Sequence, residues 1–121
     1  MKKRKRVLIL NVWRTLETVK DNPLAICDWR SLKKEDALEF RVRPTHIGNS
    51  VQAWSYGPHQ RWFYLPNQEP HEVYVFMQHD SHGEGKHGIN VPHTSIILDG
   101  QENDTPTRIS YEFRIAALMD D

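Results

Sequence analysis

Seven histidines stand in 121 residues, and four of them, His79, His82, His87 and His93, fall within fifteen positions. Neutral imidazole binds iron, zinc, copper and nickel, so the cluster raises metal chemistry. Three of the four lie in a stretch, residues 79–90, that also carries Gly83, Gly85 and Gly88. That composition is expected of a mobile surface loop. His93 differs. It follows Val91-Pro92 and precedes the apolar run 94–98, at the mouth of a strand where a ligand is held rigidly. Arg108 follows fifteen positions later, and Ser110 shares its strand face. An arginine and a hydroxyl side by side can grip a carboxylate through charge-assisted hydrogen bonds. Spacing alone equally allows an edge strand with both groups in water.

The elements that must position these groups are mostly strands. Residues 7–14 are β-rich. Residues 51–56 and 61–65 flank the turn signal Gly57-Pro58 and suggest an aromatic hairpin carrying Trp54, Tyr56, Trp62, Phe63 and Tyr64. Residues 72–78 and 94–98 are further strands, and 99–107 a turn-rich loop. Residues 108–118 alternate most cleanly, with Ile109, Tyr111, Phe113 and Ile115 on one face and Arg108, Ser110, Glu112 and Arg114 on the other. The polar face either meets solvent or lines a polar cavity. Helix is sparse: Ser31 is placed to cap a short helix from Leu32 to about Phe40. The expected fold is mainly β, in the sandwich or jelly-roll class, with one or two short helices.

Composition narrows the function classes. Lys+Arg and Asp+Glu balance at 16 each, so no net charge draws the chain to nucleic acid or an anionic membrane. The basic block Lys2 to Arg6 reads as a solvated tail over residues 1–6. No apolar run approaches the ~18 residues of a membrane span. Cys27 is the single cysteine, which excludes an intrachain disulfide and fits a reducing, cytoplasmic setting.

Several motifs, in order, carry a family resemblance. Asn11-Val12-Trp13-Arg14 and then Pro23-Leu24-Ala25-Ile26-Cys27-Asp28 resemble the N-x-W-R…P-L-A-x-C-D pattern of AsaB-like, or gibberellin-desaturase-like, hydroxylase/desaturases. Arg61-Trp62-Phe63-Tyr64-Leu65-Pro66, Asp80-Ser81, Pro92-His93-Thr94 and Arg108-Ile109-Ser110-Tyr111-Glu112-Phe113-Arg114 continue the match. Gln60, His79 and Ile96 depart from it, standing where the family has His, Tyr and an aromatic residue.

The resemblance implies a double-stranded β-helix oxidoreductase that uses Fe(II) and 2-oxoglutarate to hydroxylate or desaturate a small organic molecule or secondary metabolite. It makes His93 the distal histidine of a 2-His-1-carboxylate triad. It assigns Arg108 and Ser110 to the far carboxylate of 2-oxoglutarate. Trp13, Arg14, Trp62 and Tyr64 become candidates to line the substrate cavity, with a place in an aromatic core as the alternative. In the family the other two iron ligands come from an H-x-D motif upstream of the N-x-W-R block, and Met1 lies only ten residues before Asn11. The expectation is therefore a C-terminal segment, residues 7–119, of a jelly-roll oxygenase-like domain, incomplete and inactive alone, that self-associates through an exposed sheet edge. Two other classes stay open. One is a non-catalytic β domain that binds a ligand or partner through its aromatics. The other is a metal-binding loop built from His79, His82, His87 and Glu84.

Overall fold

β-branched and large apolar residues at alternate positions hold Lys5–Thr15 extended as β1, with Asn11, Trp13 and Thr15 buried on one face. The computed structural model describes residues 5–38, 53–83 and 90–120. β1 is the centre of a three-stranded antiparallel sheet, flanked by β6 (Tyr74–Asp80) and β8 (Ser110–Asp120). A second three-stranded antiparallel sheet has β2 (Leu24–Cys27) between β5 (Trp62–Tyr64) and β7 (His93–Ser95). β3 (Ala37–Leu38) and β4 (Ala53–Trp54) form a two-residue ladder. The mainly β class expected from the sequence is the class observed. No helix among the described residues is long and apolar enough to cross a membrane.

Trp13, Val19, Leu24, Phe76 and Val91 form the core, with Ile26, Tyr74 and Met77 packed against it. Backbone bonds join the layers: Val91 N–H donates to Met77 O and Cys27 N–H to Pro92 O, both at 2.9 Å. These two bonds anchor both sides of the segment that delivers His93.

The register between β1 and β8 sets Thr15 opposite Ser110, Trp13 opposite Glu112 and Asn11 opposite Arg114. The polar face of β8 therefore shares the side of the sheet on which β1 buries Asn11, Trp13 and Thr15. The apolar face is turned the other way, where Tyr111, Phe113 and Ile115 remain 50–55% exposed.

Two sequence expectations are corrected. The segments around Gly57-Pro58 do not pair with each other: β4 pairs with β3, and β5 pairs with β2. Asp36 is the reason. Its backbone carbonyl accepts from Ser55 N–H at 2.7 Å, and its buried carboxylate accepts from Gln60 Nε2 at 3.1 Å and meets His59 Nε2 at 2.7 Å. Gly57 makes the intervening turn, where a Cβ would lie 2.3 Å from the His59 ring. The expected helix from Leu32 is also replaced. Two 3₁₀ turns, Trp29–Ser31 and Lys34–Asp36, are followed at once by β3. The Asp36 carboxylate accepts from Lys33 N–H at 2.9 Å, which closes the chain into a single turn instead of a longer helix. Residues 39 and 40 of that expected helix, and 51 and 52 of the expected hairpin, lie outside the described residues.

Four carboxylates pin these connections, each held at about 2 against an ordinary 3.8. Thr107 does this for Asp21, Arg30 for Asp28, the Lys33 amide and His59 for Asp36, and Arg6 for Asp80. In each, the folded value lies below the unfolded one. Their contribution to stability is therefore complete above about pH 4 and is lost as pH falls from there toward 2. Denaturant midpoints should be flat from pH 5 to 7 and drop steeply by about pH 3. A midpoint unchanged at the lower pH would show that these pairs do not hold the fold.

Candidate active site

Pro92, buried and fixed in φ, leads into β7, whose first residue is His93. The imidazole packs on Phe76, with ring centroids 4.6 Å apart. His93 Nδ1 lies 3.0 Å from the Val91 carbonyl oxygen. A carbonyl only accepts, so Nδ1 carries the proton and the neutral ring keeps its lone pair on Nε2. Nε2 faces β8, where Glu112 Oε2 lies 3.8 Å away.

Glu112 is on the β8 face that carries Ser110 and, just before the strand, Arg108. The guanidinium of Arg108 lies over the Trp13 ring, 5.1 Å from its centroid, and Nη1 donates to Ser110 Oγ at 3.2 Å. Its Nε is buried without a hydrogen-bond partner. Burial pushes the Arg108 pKa down, against the pull of Asp21. Asp21 positions the residue without spending its carboxylate on the guanidinium: it accepts from Thr107 N–H at 3.0 Å, from the Thr107 hydroxyl, and from Arg108 N–H at 3.4 Å. The result is a partly desolvated cation with no carboxylate of the described residues in contact. That arrangement is costly unless an anion completes it.

The structure thus sets His93, on β7 of the second sheet, against the inner face of β8, the face that carries Ser110 and, just before the strand, Arg108. Four residues separate Arg108 from Glu112, about 13 Å of extended chain. A cavity of about 840 Å³ opens beside His93 and is lined by Trp54, Gln60, Trp62, Gln78 and Arg114, among others. Trp62 is held there through Nε1–H to Gln60 Oε1 at 3.2 Å, and Gln60 in turn donates to Asp36.

The other candidates for the cavity wall fall elsewhere. Trp13 is core, 4% exposed, beneath Arg108. Arg14, one residue on, is exposed and opposite Tyr111, so strand alternation turns it to the outer face. Tyr64 lines a separate recess of about 110 Å³ with Val19, Pro23 and Leu98. Of the histidine loop, His79 belongs to β6 opposite Ile9, His82 lies in the turn after Asp80, and His87 and Glu84 are outside the described residues. Among the described residues no three His, Cys, Asp or Glu side chains converge as a metal site.

Glu112 and Gln78 were not singled out from sequence. For Glu112 the signal was present, since alternation already placed it on the Arg108 face. For Gln78 it was not. A bulge between Ile9 and Leu10 shifts the β1–β6 register beside it.

Comparison with known proteins bears on the chain as a whole. A family model described as an oxidoreductase/YMDC permease-like domain matches residues 1–118. The hydroxylase/desaturase asaB of Aspergillus flavus is 29% identical over 96% of this chain and 57% of its own length. The alpha-ketoglutarate-dependent dioxygenase phiK of a fungal species is 32% identical over 92% of this chain and 41% of its own. A solved structure of the iron and alpha-ketoglutarate-dependent endoperoxidase NvfI superposes with a TM-score of 0.72 at 27% identity, covering 97% of this chain and 42% of that one. The chain thus spans about half the length of the relatives it matches. On the family match and these relatives together, the chain belongs to the oxidoreductase/YMDC permease-like domain family and is a relative of the AsaB-like hydroxylase/desaturases.

Proposed function

We propose that this chain supplies the cosubstrate-binding half of a 2-oxoglutarate- and iron-dependent oxygenase site acting on a small organic molecule, in which Arg108 and Ser110 hold the far carboxylate of 2-oxoglutarate. The observation that carries the proposal is the Arg108 guanidinium, partly desolvated over Trp13, its Nε orphaned, with no carboxylate of the described residues in contact. A bound carboxylate would satisfy Nε and restore the charge balance, and Ser110 Oγ would add a second donor.

His93 fits one ligand position of an iron site, with Nδ1 fixed by Val91, Nε2 facing the Glu112 carboxylate, and the residue itself part of the cavity wall. The described residues bring no second and third ligand to it, so a full triad draws two groups from beyond them. Bound iron with 2-oxoglutarate supplies the oxidising chemistry. This chain's contribution is to orient the cosubstrate, fix the imidazole tautomer, and exclude water with the Phe76 and Trp62 rings.

Recognition of the far carboxylate needs no metal. Titration calorimetry on the purified chain should therefore show 2-oxoglutarate and glutarate competing for one site, metal-free. Failure of both to bind at millimolar concentration would remove the assignment.

The chain is further proposed to be cytoplasmic, with its one thiol buried, and to self-associate. β8 is an eleven-residue edge strand whose outer face exposes Tyr111, Phe113 and Ile115. Sedimentation should show concentration-dependent oligomers that the double substitution Phe113→Lys, Ile115→Lys disperses. A monomer at every concentration would contradict this.

A further inference from the structure

We infer that Gln78 and Arg114 form a subsite for a carboxylate on an otherwise apolar substrate, on the side of His93 away from Arg108. The inference rests on the oxygenase reading above and names its substrate class. Along the inner face of β8 the order is Arg108, Ser110, Glu112, Arg114, and Glu112 marks the level of His93. The face thus carries one cation on each side of the imidazole. Arg114 lies about 7 Å of strand beyond Glu112.

Asn11 links the two edges of the sheet here, although its register partner on β6 is Phe76 and Gln78 stands two residues further on, at the bulge. Asn11 of β1 is opposite Arg114 of β8, and Asn11 Nδ2 donates to Gln78 Oε1 of β6 at 2.8 Å. That bond fixes the Gln78 amide: its oxygen is occupied by Asn11, and its NH2 group has no acceptor among the described residues. Asn11 is fully buried, and its Oδ1 has no donor among the described residues. Arg114 is half exposed, and among the described residues its one charged neighbour is Glu112, Oε1 to Nε at 3.9 Å, with no described partner at the terminal nitrogens.

Gln78 and Arg114 both line the cavity, and Asn11 lies between and behind them. Their donors face a wall made of Trp54, Tyr56, Trp62 and Ile96. An apolar body against those rings and an anionic oxygen group at Gln78 Nε2 and the Arg114 guanidinium satisfies both walls. A substrate anchored there presents carbons a few ångströms from its carboxylate to the space beneath His93.

Adamantane-1-carboxylate and adamantane-1-carboxamide, titrated calorimetrically into the purified chain without metal, separate charge from shape. The carboxylate should bind about tenfold more tightly than the amide. Arg114→Gln should abolish that preference, Gln78→Leu should weaken carboxylate binding several-fold, and Arg108→Met should leave the preference intact. Equal affinity for the two probes, no binding of either, or a preference that survives Arg114→Gln overturns the inference. So does a preference lost with Arg108→Met, since the carboxylate then occupies the cosubstrate site. 2-Oxoglutarate titrated into the same variants tests the underlying reading separately. That reading predicts binding lost in Arg108→Met and retained in Arg114→Gln, and the reverse pattern would overturn both assignments.

Discussion

Arg108→Met should weaken 2-oxoglutarate binding by about a hundredfold, roughly 3 kcal/mol, while leaving the fold as stable as before or slightly more so. The two effects come from one feature. In the free chain the guanidinium is partly stripped of water and, among the described residues, has one hydrogen bond, to Ser110, and no carboxylate in contact. Methionine keeps an unbranched stem over Trp13 and removes the unpaired charge. The lost cation–π contact is worth about 0.5–2 kcal/mol, and relief of desolvation offsets it. A residue retained for folding shows the opposite pattern. Calorimetry for binding and urea unfolding for stability make the comparison. Unchanged 2-oxoglutarate affinity, or a large loss of stability, would show that Arg108 is a structural cation.

His93→Ala should reduce the binding of Mn(II), or of anaerobic Fe(II), by at least about a hundredfold, since ligand loss exceeds the 10–100-fold typical of losing a ligand's supporting partner. Binding of glutarate without metal should persist. The substitution also leaves the Val91 carbonyl without its donor and removes the ring packed on Phe76, so stability should fall by about 1–2 kcal/mol. His82→Ala is the control, because His82 sits in the turn after β6, away from the His93–Glu112 contact. Metal binding that survives His93→Ala and disappears with His82→Ala would assign the metal to the histidine loop.

The mainly β class, β8 and the position of His93 at a strand mouth were legible in the chain. The strands β1, β6 and β8 fall within a few residues of their expected bounds. Period-two alternation is a local signal, and a long strand repeats it many times. The short strands were less legible. β4 spans two residues and β5 three, too few for a pattern to outvote the turn signal between them. Their partners were chosen by Asp36, a buried carboxylate whose hydrogen bonds reach 24 positions along the chain.

The sequence by itself determined that residues 108–114 present a polar face and an apolar face, that His93 stands next to a proline at a strand mouth, and which family the motifs belong to. Only the tertiary structure decided which face looks inward. Ordinarily the apolar face of such a strand is the buried one, yet here the polar face shares the side of buried Asn11, Trp13 and Thr15, its Arg114 reaches the cavity, and Tyr111, Phe113 and Ile115 are left outside. Tertiary packing also brings Glu112 to His93, sets Asn11 opposite Arg114 while bonding it to Gln78, and turns Arg14 away. Alternation defines two sides of a strand without ordering them. The order comes from register with partners far off in sequence, such as Trp13 opposite Glu112, which no local pattern encodes.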